Sequence, residues 1–244
     1  MIRFRKFVRS WLYRWLDGLP ELEKIDIQKR WLEKQAIELS RQAEQIKQTM
    51  KGRNNLSIDL GSGSNDHHGW INIDYNSNHP MCIRKVDDDG SLVINYDLRL
   101  GIPISDNTCS YIYSSHFLEH LDYDDGMVLL RDCYRILHPE GILRLAMPNY
   151  RPVFEGYLRG DISFFESVGR TRGFPKMDPI EKSIADYISL GIYENGQHRY
   201  IYDEQKLLLV LDFIGFRKTE ISCFQKDMDV AVRQKYSFYI QGIK

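Results

Sequence analysis

The sequence has no apolar run near the roughly 18 residues of a membrane-spanning helix, and arginines interrupt the N-terminal stretch where a secretory apolar core would lie. Net charge is nearly absent too: 33 Lys and Arg face 34 Asp and Glu, leaving −1. A general nucleic-acid binder carries a strong basic excess, so no nucleic-acid partner is expected. The four cysteines (Cys82, Cys109, Cys133, Cys223) are scattered, with no CxxC pair and no small disulfide framework. A reducing cytoplasm is therefore the expected compartment. No internal repeat or low-complexity tract is evident. What is present, 43% hydrophobic and 27% charged residues over 244 positions, suits one sizeable soluble domain with appendages.

The chain is organised around Leu56-Ser-Ile-Asp-Leu-Gly-Ser-Gly-Ser-Asn65, followed by Trp70-Ile-Asn-Ile-Asp74. The first part reads as a parallel strand buried on both faces, its apolar run broken only by Asp59. Gly61 and Gly63 let the backbone turn tightly and approach a ligand with no Cβ in the way. Asp74, at the tip of the next strand, is placed to accept hydrogen bonds from vicinal ribose hydroxyls. A glycine turn beside a strand-end carboxylate is the nucleoside-binding arrangement of doubly wound α/β sheets. The dinucleotide fingerprint would need a third glycine where Asp66 stands. A carboxylate there repels a pyrophosphate, which disfavours NAD.

Ahead of this region, residues 1–16 carry five basic residues and no acid, with Phe4, Phe7, Val8, Trp11, Leu12, Trp15 and Leu16 on one helical stripe. Such a helix suits the chain's own core, a partner protein, or an anionic membrane surface with tryptophans at headgroup depth, and the three readings stay open. Leu19-Pro20 ends it. A second helix is expected from Glu21 to about Lys51, with Ile25, Leu32, Leu39 and Ile46 at heptad spacing and Ala36, Ala43 and Met50 in the alternate seam. It suits either a homodimer through residues 21–51 or packing on the following domain. Residues 1–51 thus read as a helical extension and 52–244 as the α/β domain. Gly61–Trp70 and Asn76–Gly90 read as loops where covering helices usually lie, and the 21–51 helix is expected to cover part of the face they leave open.

Further strands are expected at Leu92–Asp97, Ser110–Ser115 and Ile142–Met147, and helices at Asp124–Leu137 and Asp203–Ile214. Residues 150–200 form a long insert with Phe154, Tyr157, Phe164 and Phe165, more consistent with an acceptor-side lid than with structureless loop. Phe216–Phe224 and Val232–Ile240 read as a closing antiparallel hairpin.

From Leu56 to Asn149 the order of motifs resembles the small class I S-adenosylmethionine-dependent methyltransferases of the type 11 kind. The resemblance is carried by Asp59-x-Gly61-x-Gly63 with Asn65 in the last glycine position, Gly69-Trp70-Ile-Asn-Ile-Asp74, Asp97-Leu98, and Pro103 with Asp106-Asn107. Glu119-His120-Leu121, Arg135-Ile-Leu-His-Pro-Glu140-Gly141 and Pro148-Asn149 complete it. Glu140 stands where the family has glycine, and Asn149 where it has an acid; the second departure lies near the acceptor side.

The resemblance implies an α/β fold: a doubly wound, Rossmann-like seven-stranded sheet with a late antiparallel hairpin, preceded here by the N-terminal helical extension. It implies S-adenosyl-L-methionine as cofactor, with Gly61, Ser62 and Gly63 at its methionine end and Asp59 orienting the turn. Asp74 would take the ribose, Asp97 and the Leu98 amide would border the adenine, and Ser114 and Ser115 would floor the site. An acceptor hydroxyl of a sugar or lipid-linked glycan is the expected substrate. A general base would be His116, which leaves the fourth strand at the transfer face, or His198 in the lid's return segment. Tyr150 and Arg151 could hold the acceptor. His67, His68, His79 and the Asp87–Asp89 run have no ligand spacing, and no metal is expected. A non-catalytic scaffold with the same pocket and a nucleotide-sugar oxidoreductase are the readings from other classes.

Overall fold

The computed structural model of the chain describes residues 21–63, 67–76, 83–85, 90–171 and 183–244. The basic stretch 1–16, Asp66, His79 and the Asp87–Asp89 run lie outside them, so the readings made of those residues rest on sequence alone.

The sheet starts from short strands rich in isoleucine and leucine. β1 (Leu56–Leu60) lies between β2 (Ile71–Asp74) and β5 (Cys109–Ser115), parallel to both. On one side β4 (Leu92–Asn95) adds in parallel to β2, and on the other β6 (Leu137–Pro148) adds in parallel to β5. Ile58, Leu60, Ile73, Ile94 and Ile112 are buried, as strands covered on both faces require. The chain moves outward from β1 first through β2 and β4, then returns to the opposite side through β5. That reversal opens a crevice at the carboxyl ends of β1 and β5, the place where doubly wound sheets bind ligands.

Two antiparallel strands complete the far edge: β7 (Arg217–Ser222) pairs with β8 (Ser237–Ile243), and β8 lies against β6. The late hairpin expected from sequence is therefore present. The strand count differs, however. The order is β3-β4-β2-β1-β5-β6-β8-β7, with eight strands among the described residues rather than seven. The extra one, β3 (Ile83–Lys85), pairs antiparallel with β4 inside a stretch read from sequence as loop. Three residues are too few to show an alternating pattern, so nothing in the sequence marks it.

Helices follow the expected apolar stripes. α2 (Tyr123–Ile136) buries Met127, Leu129, Leu130, Cys133 and Ile136. α6 (Glu204–Ile214) starts at Asp203, whose carboxylate accepts from the Lys206 amide at 2.7 Å, and stops at Gly215 in left-handed conformation. Between β6 and α6 the insert is helical: α3 (Arg151–Arg159), α4 (Ile162–Thr171) and α5 (Ile184–Ile188).

The N-terminal helix, α1 (Glu21–Met50), joins the domain core at its carboxyl end. Ile46 and Met50 are buried in the main core, Leu39 and Ala43 are half-buried, and Ile37 is 70% exposed. No helix among the described residues is long and apolar enough to cross a membrane.

Candidate active site

β1 runs into the glycine turn at the crevice. The Gly61 amide donates to the Ile73 carbonyl at 2.7 Å, tying the end of β1 to β2. Gly61 and Gly63 both have positive φ, +72° and +61°, which side-chain-bearing residues adopt only under strain. Their surroundings differ. A Cβ on Gly61 would lie 2.3 Å from Cγ of Phe117, whereas nothing lies within 4 Å of the corresponding position on Gly63. The turn is thus walled on one side by the Phe117 ring and open on the other. Ser62, between the two glycines, is buried.

Asp74 closes β2 beside this opening. Its carboxylate takes no hydrogen bond or ion pair among the described residues and is half-exposed. Asp97 is differently disposed. Its carboxylate receives Nε of Arg99 at 2.8 Å and also bonds Nη2 of Arg99 and the Arg99 amide, capping the short 3-10 turn Leu98–Leu100. Leu98 itself is buried in the core. Ser114 donates to the Leu60 carbonyl at 2.9 Å, pinning β1 to β5 directly behind the turn. Ser115 accepts from Nη1 of Arg233 at 3.1 Å. Both serines lie at the site, but their hydroxyls brace the protein. Asp59, also buried, meets Nδ1 of His67 at 2.8 Å.

Beyond β5 the chain enters a second group of polar side chains. His116 has φ +53°, a left-handed conformation that costs about 1–2 kcal/mol for a residue with a Cβ. Its Nε2 lies 2.7 Å from Oγ of Ser237, and its Nδ1 is 3.7 Å from Glu119. Glu119 is the buried centre of this group: 1% exposed, with neither carboxylate oxygen hydrogen-bonded to another residue. Burial pushes its carboxyl up to about 7, against the smaller pull of His198 and Arg233. His120 stands edge-on to His198 with ring centroids 4.8 Å apart, and burial, then the neighbouring His198, lower its pKa.

His198 is enclosed. Its Nδ1 lies 2.8 Å from the Ile192 carbonyl and 2.9 Å from the Tyr150 hydroxyl, and its Nε2 lies 2.6 Å from Glu194. Tyr150 is buried on this histidine, while Arg151 is exposed at the start of α3. An open cleft of about 530 Å³ runs between α3 and residues 200–206, lined by Tyr150, Arg151, Phe154, Tyr200 and Lys206 among others. Because β6 is parallel to β1 and β5, this cleft lies on the same edge of the sheet as the glycine turn.

Phe117 and the buried state of Glu119 were not foreseen. Both follow the strand that sequence did identify, and Glu119-His120 belongs to a recognised motif. What encloses them comes from residues more than seventy positions further on.

Residues 58–145 match the family described as a methyltransferase domain. That stretch of the chain is similar to a methyltransferase domain. The match runs from inside β1 into β6, so it spans the glycine turn, Asp74, Asp97 and His116 to His120, but not His198. No curated protein matches the chain. Solved structures of similar shape include a SAM-dependent methyltransferase from Archaeoglobus fulgidus, at 17% identity over 86% of this chain and 94% of that one, with a TM-score of 0.48. Another, from Thermotoga maritima, is described as a SAM-dependent methyltransferase; it is 13% identical over 96% of this chain and 98% of its own, with a TM-score of 0.48. A third, from Mesorhizobium loti, is 14% identical over 78% and 92%, with a TM-score of 0.44. No residue role in the methyltransferase domain is carried over from them.

Proposed function

We propose that this methyltransferase uses S-adenosyl-L-methionine and methylates a hydroxyl of a sugar or lipid-linked glycan. The observation that carries the cofactor reading is the conjunction at the crevice of two features. Gly63 presents backbone to open space, and the Asp74 carboxylate beside it has no partner among the described residues. Those residues fit a nucleoside whose vicinal hydroxyls need an acceptor. Once bound, the cofactor supplies a methyl group activated on a sulfonium. The protein's task is then to position two reactants and exclude water. Gly61, Ser62 and Gly63 would face the amino-acid end, Phe117 would close the turn, and Asp74 would hold the ribose. Asp97, already engaged by Arg99, would shape the adenine wall more than bond to it.

The cleft between α3 and residues 200–206 supports a glycan acceptor. Tyr200 and Phe154 line it with aromatic rings, and Arg151 and Lys206 stand in it beside the carboxylates Glu155, Asp203 and Glu204, a polar and aromatic lining suited to hydroxyls. A lipid-linked acceptor would be met at a membrane surface, which is where the basic stretch 1–16 would serve. His116 and His198 stay the candidate bases; each faces protein groups on both ring nitrogens, and His116 is the one that leaves β5 at the crevice. The scaffold and oxidoreductase readings gain no support from the site.

Calorimetric titration with S-adenosyl-L-methionine tests the proposal. Saturable binding is expected, with affinity at least tenfold weaker in Asp74→Ala and thermal stability unchanged. Equal affinity in that variant, or tight NAD binding, would overturn it. Transfer of a labelled methyl group to glycolipid but not to protein fractions tests the acceptor.

A further inference from the structure

We propose that Glu119, His120 and His198 form a binding site for a divalent first-row transition cation. Each offers one ligand atom, and the three atoms all lie within 4.8 Å of one another. Three such atoms share a centre no more than about 2.8 Å away. Zinc-like ions sit about 2.0–2.2 Å from nitrogen and oxygen donors, so each side chain closes by less than about 1 Å.

Glu119 supplies the independent reason to look for a cation. An ionised carboxylate buried with no hydrogen bond to another residue is costly; its nearest ring nitrogen, Nδ1 of His116, stands off at 3.7 Å, and buried charges are ordinarily paired or bound to metal. His198 is oriented as metal ligands usually are, with one ring nitrogen anchored to backbone. It uses Nδ1 on the Ile192 carbonyl at 2.8 Å, and the His120 ring stands edge-on to that of His198 with centroids 4.8 Å apart. That leaves Nε2 of His198 as its donor atom. This nitrogen faces the Glu194 carboxylate at 2.6 Å; Glu194 is 47% exposed and near enough to become a fourth, solvent-side ligand.

Two imidazoles with one or two carboxylates select Zn, Co, Mn or Fe over Mg, which prefers an all-oxygen shell. The site joins segments already linked by backbone, since the Arg199 and Tyr200 amides both donate to the Glu119 carbonyl. A bound cation would lock the 192–200 return segment onto the end of β5. None of this depends on the methyltransferase reading.

The test uses the full chain stripped with chelator and titrated with cobalt(II), zinc(II) and magnesium(II). Cobalt and zinc are expected to bind at about one per chain, cobalt with a visible ligand-field band of nitrogen ligation, and zinc with a rise in melting temperature. Glu119→Gln keeps the volume and removes the buried charge; it is expected to fold, melt no lower than the metal-free parent, and bind cobalt at least tenfold more weakly. His68→Ala, at an exposed histidine, should bind like the parent. Absence of cobalt and zinc binding, equal binding by Glu119→Gln, or magnesium binding as tight as zinc would each overturn the proposal.

Discussion

Arg144 occupies the middle of β6 with no exposed surface, and its guanidinium is matched donor by donor. Nε meets Asp229 Oδ1 at 3.1 Å and Nη2 meets Asp229 Oδ2 at 2.5 Å, while Nη1 reaches Ser222 Oγ and Nη2 the Cys223 carbonyl. The ring of Tyr239 lies 5.0 Å beneath it. Asp229 is equally buried, and its only other bond among these contacts is from the Gln225 amide at 2.6 Å. Asp229→Ala therefore leaves a buried cation with two neutral acceptors. Breaking a buried pair from one side costs about 3–5 kcal/mol, because the stranded charge keeps its desolvation penalty. Against a total stability of about 5–15 kcal/mol, that is a large share. Arg144→Met should cost a similar amount by stranding the carboxylate. The double variant should cost clearly less than the sum, since it removes both charges. Urea denaturation of the two single variants and the double measures all three terms. A loss below about 1 kcal/mol for Asp229→Ala, or strict additivity, would refute the claim that this pair holds the β7–β8 hairpin to β6.

The two glycines of the turn should separate on substitution. Gly63→Ala meets only the left-handed penalty of about 1–2 kcal/mol, whereas Gly61→Ala must also displace the Phe117 ring, adding about 1–3 kcal/mol; denaturation midpoints in reversed order would contradict the packing. The cysteines should differ as sharply in a thiol-labelling assay at pH 8. Burial pushes Cys109 up to about 12 and Cys133 higher still, so neither carries thiolate there, while Cys223 is exposed. Cys223 is expected to react in the folded protein, and Cys109 and Cys133 only as it unfolds; native-state labelling of either at the rate of Cys223 would be the wrong result.

The parts of the fold that were legible in sequence were those with local signals. β1, the glycine turn and the acid ending β2 announce themselves within twenty residues, and α2 and α6 follow their apolar period with capping residues in place. β3 was not legible because three residues carry no period. Contacts across long separations were the larger loss. Arg144 and Asp229 stand 85 positions apart, and an arginine inside an apolar strand shows no sign of its partner. Asp97 reads as a free strand-end acid until Arg99, two residues on, folds back over it. Glu119 and His120 are visible as a motif, but the burial that leaves neither Glu119 oxygen hydrogen-bonded comes from the return segment through His198.

Asp59 shows how a local reading and a tertiary one combine. From sequence it stands behind the glycine turn, and the structure gives it a longer reach. His67, the first described residue after that turn, sets Nδ1 on Asp59 and lies with Nε2 3.2 Å from the Met228 carbonyl. Its ring stacks on Trp70 and meets the edge of Tyr113, and its amide donates to the Asn72 side chain. The segment that resumes at His67 is thus fixed to β1, to β2 and to the turn before β8. Met228 adjoins Asp229, so the wall behind the nucleoside crevice and the clamp on Arg144 are the same few residues. Loss of Asp229 should then reach beyond stability: under conditions where the variant is still folded, its cofactor affinity should fall although Asp229 faces the guanidinium and not the crevice. A folded Asp229→Ala protein with unchanged affinity would mean that His67 is held by Asp59 and Asn72 alone.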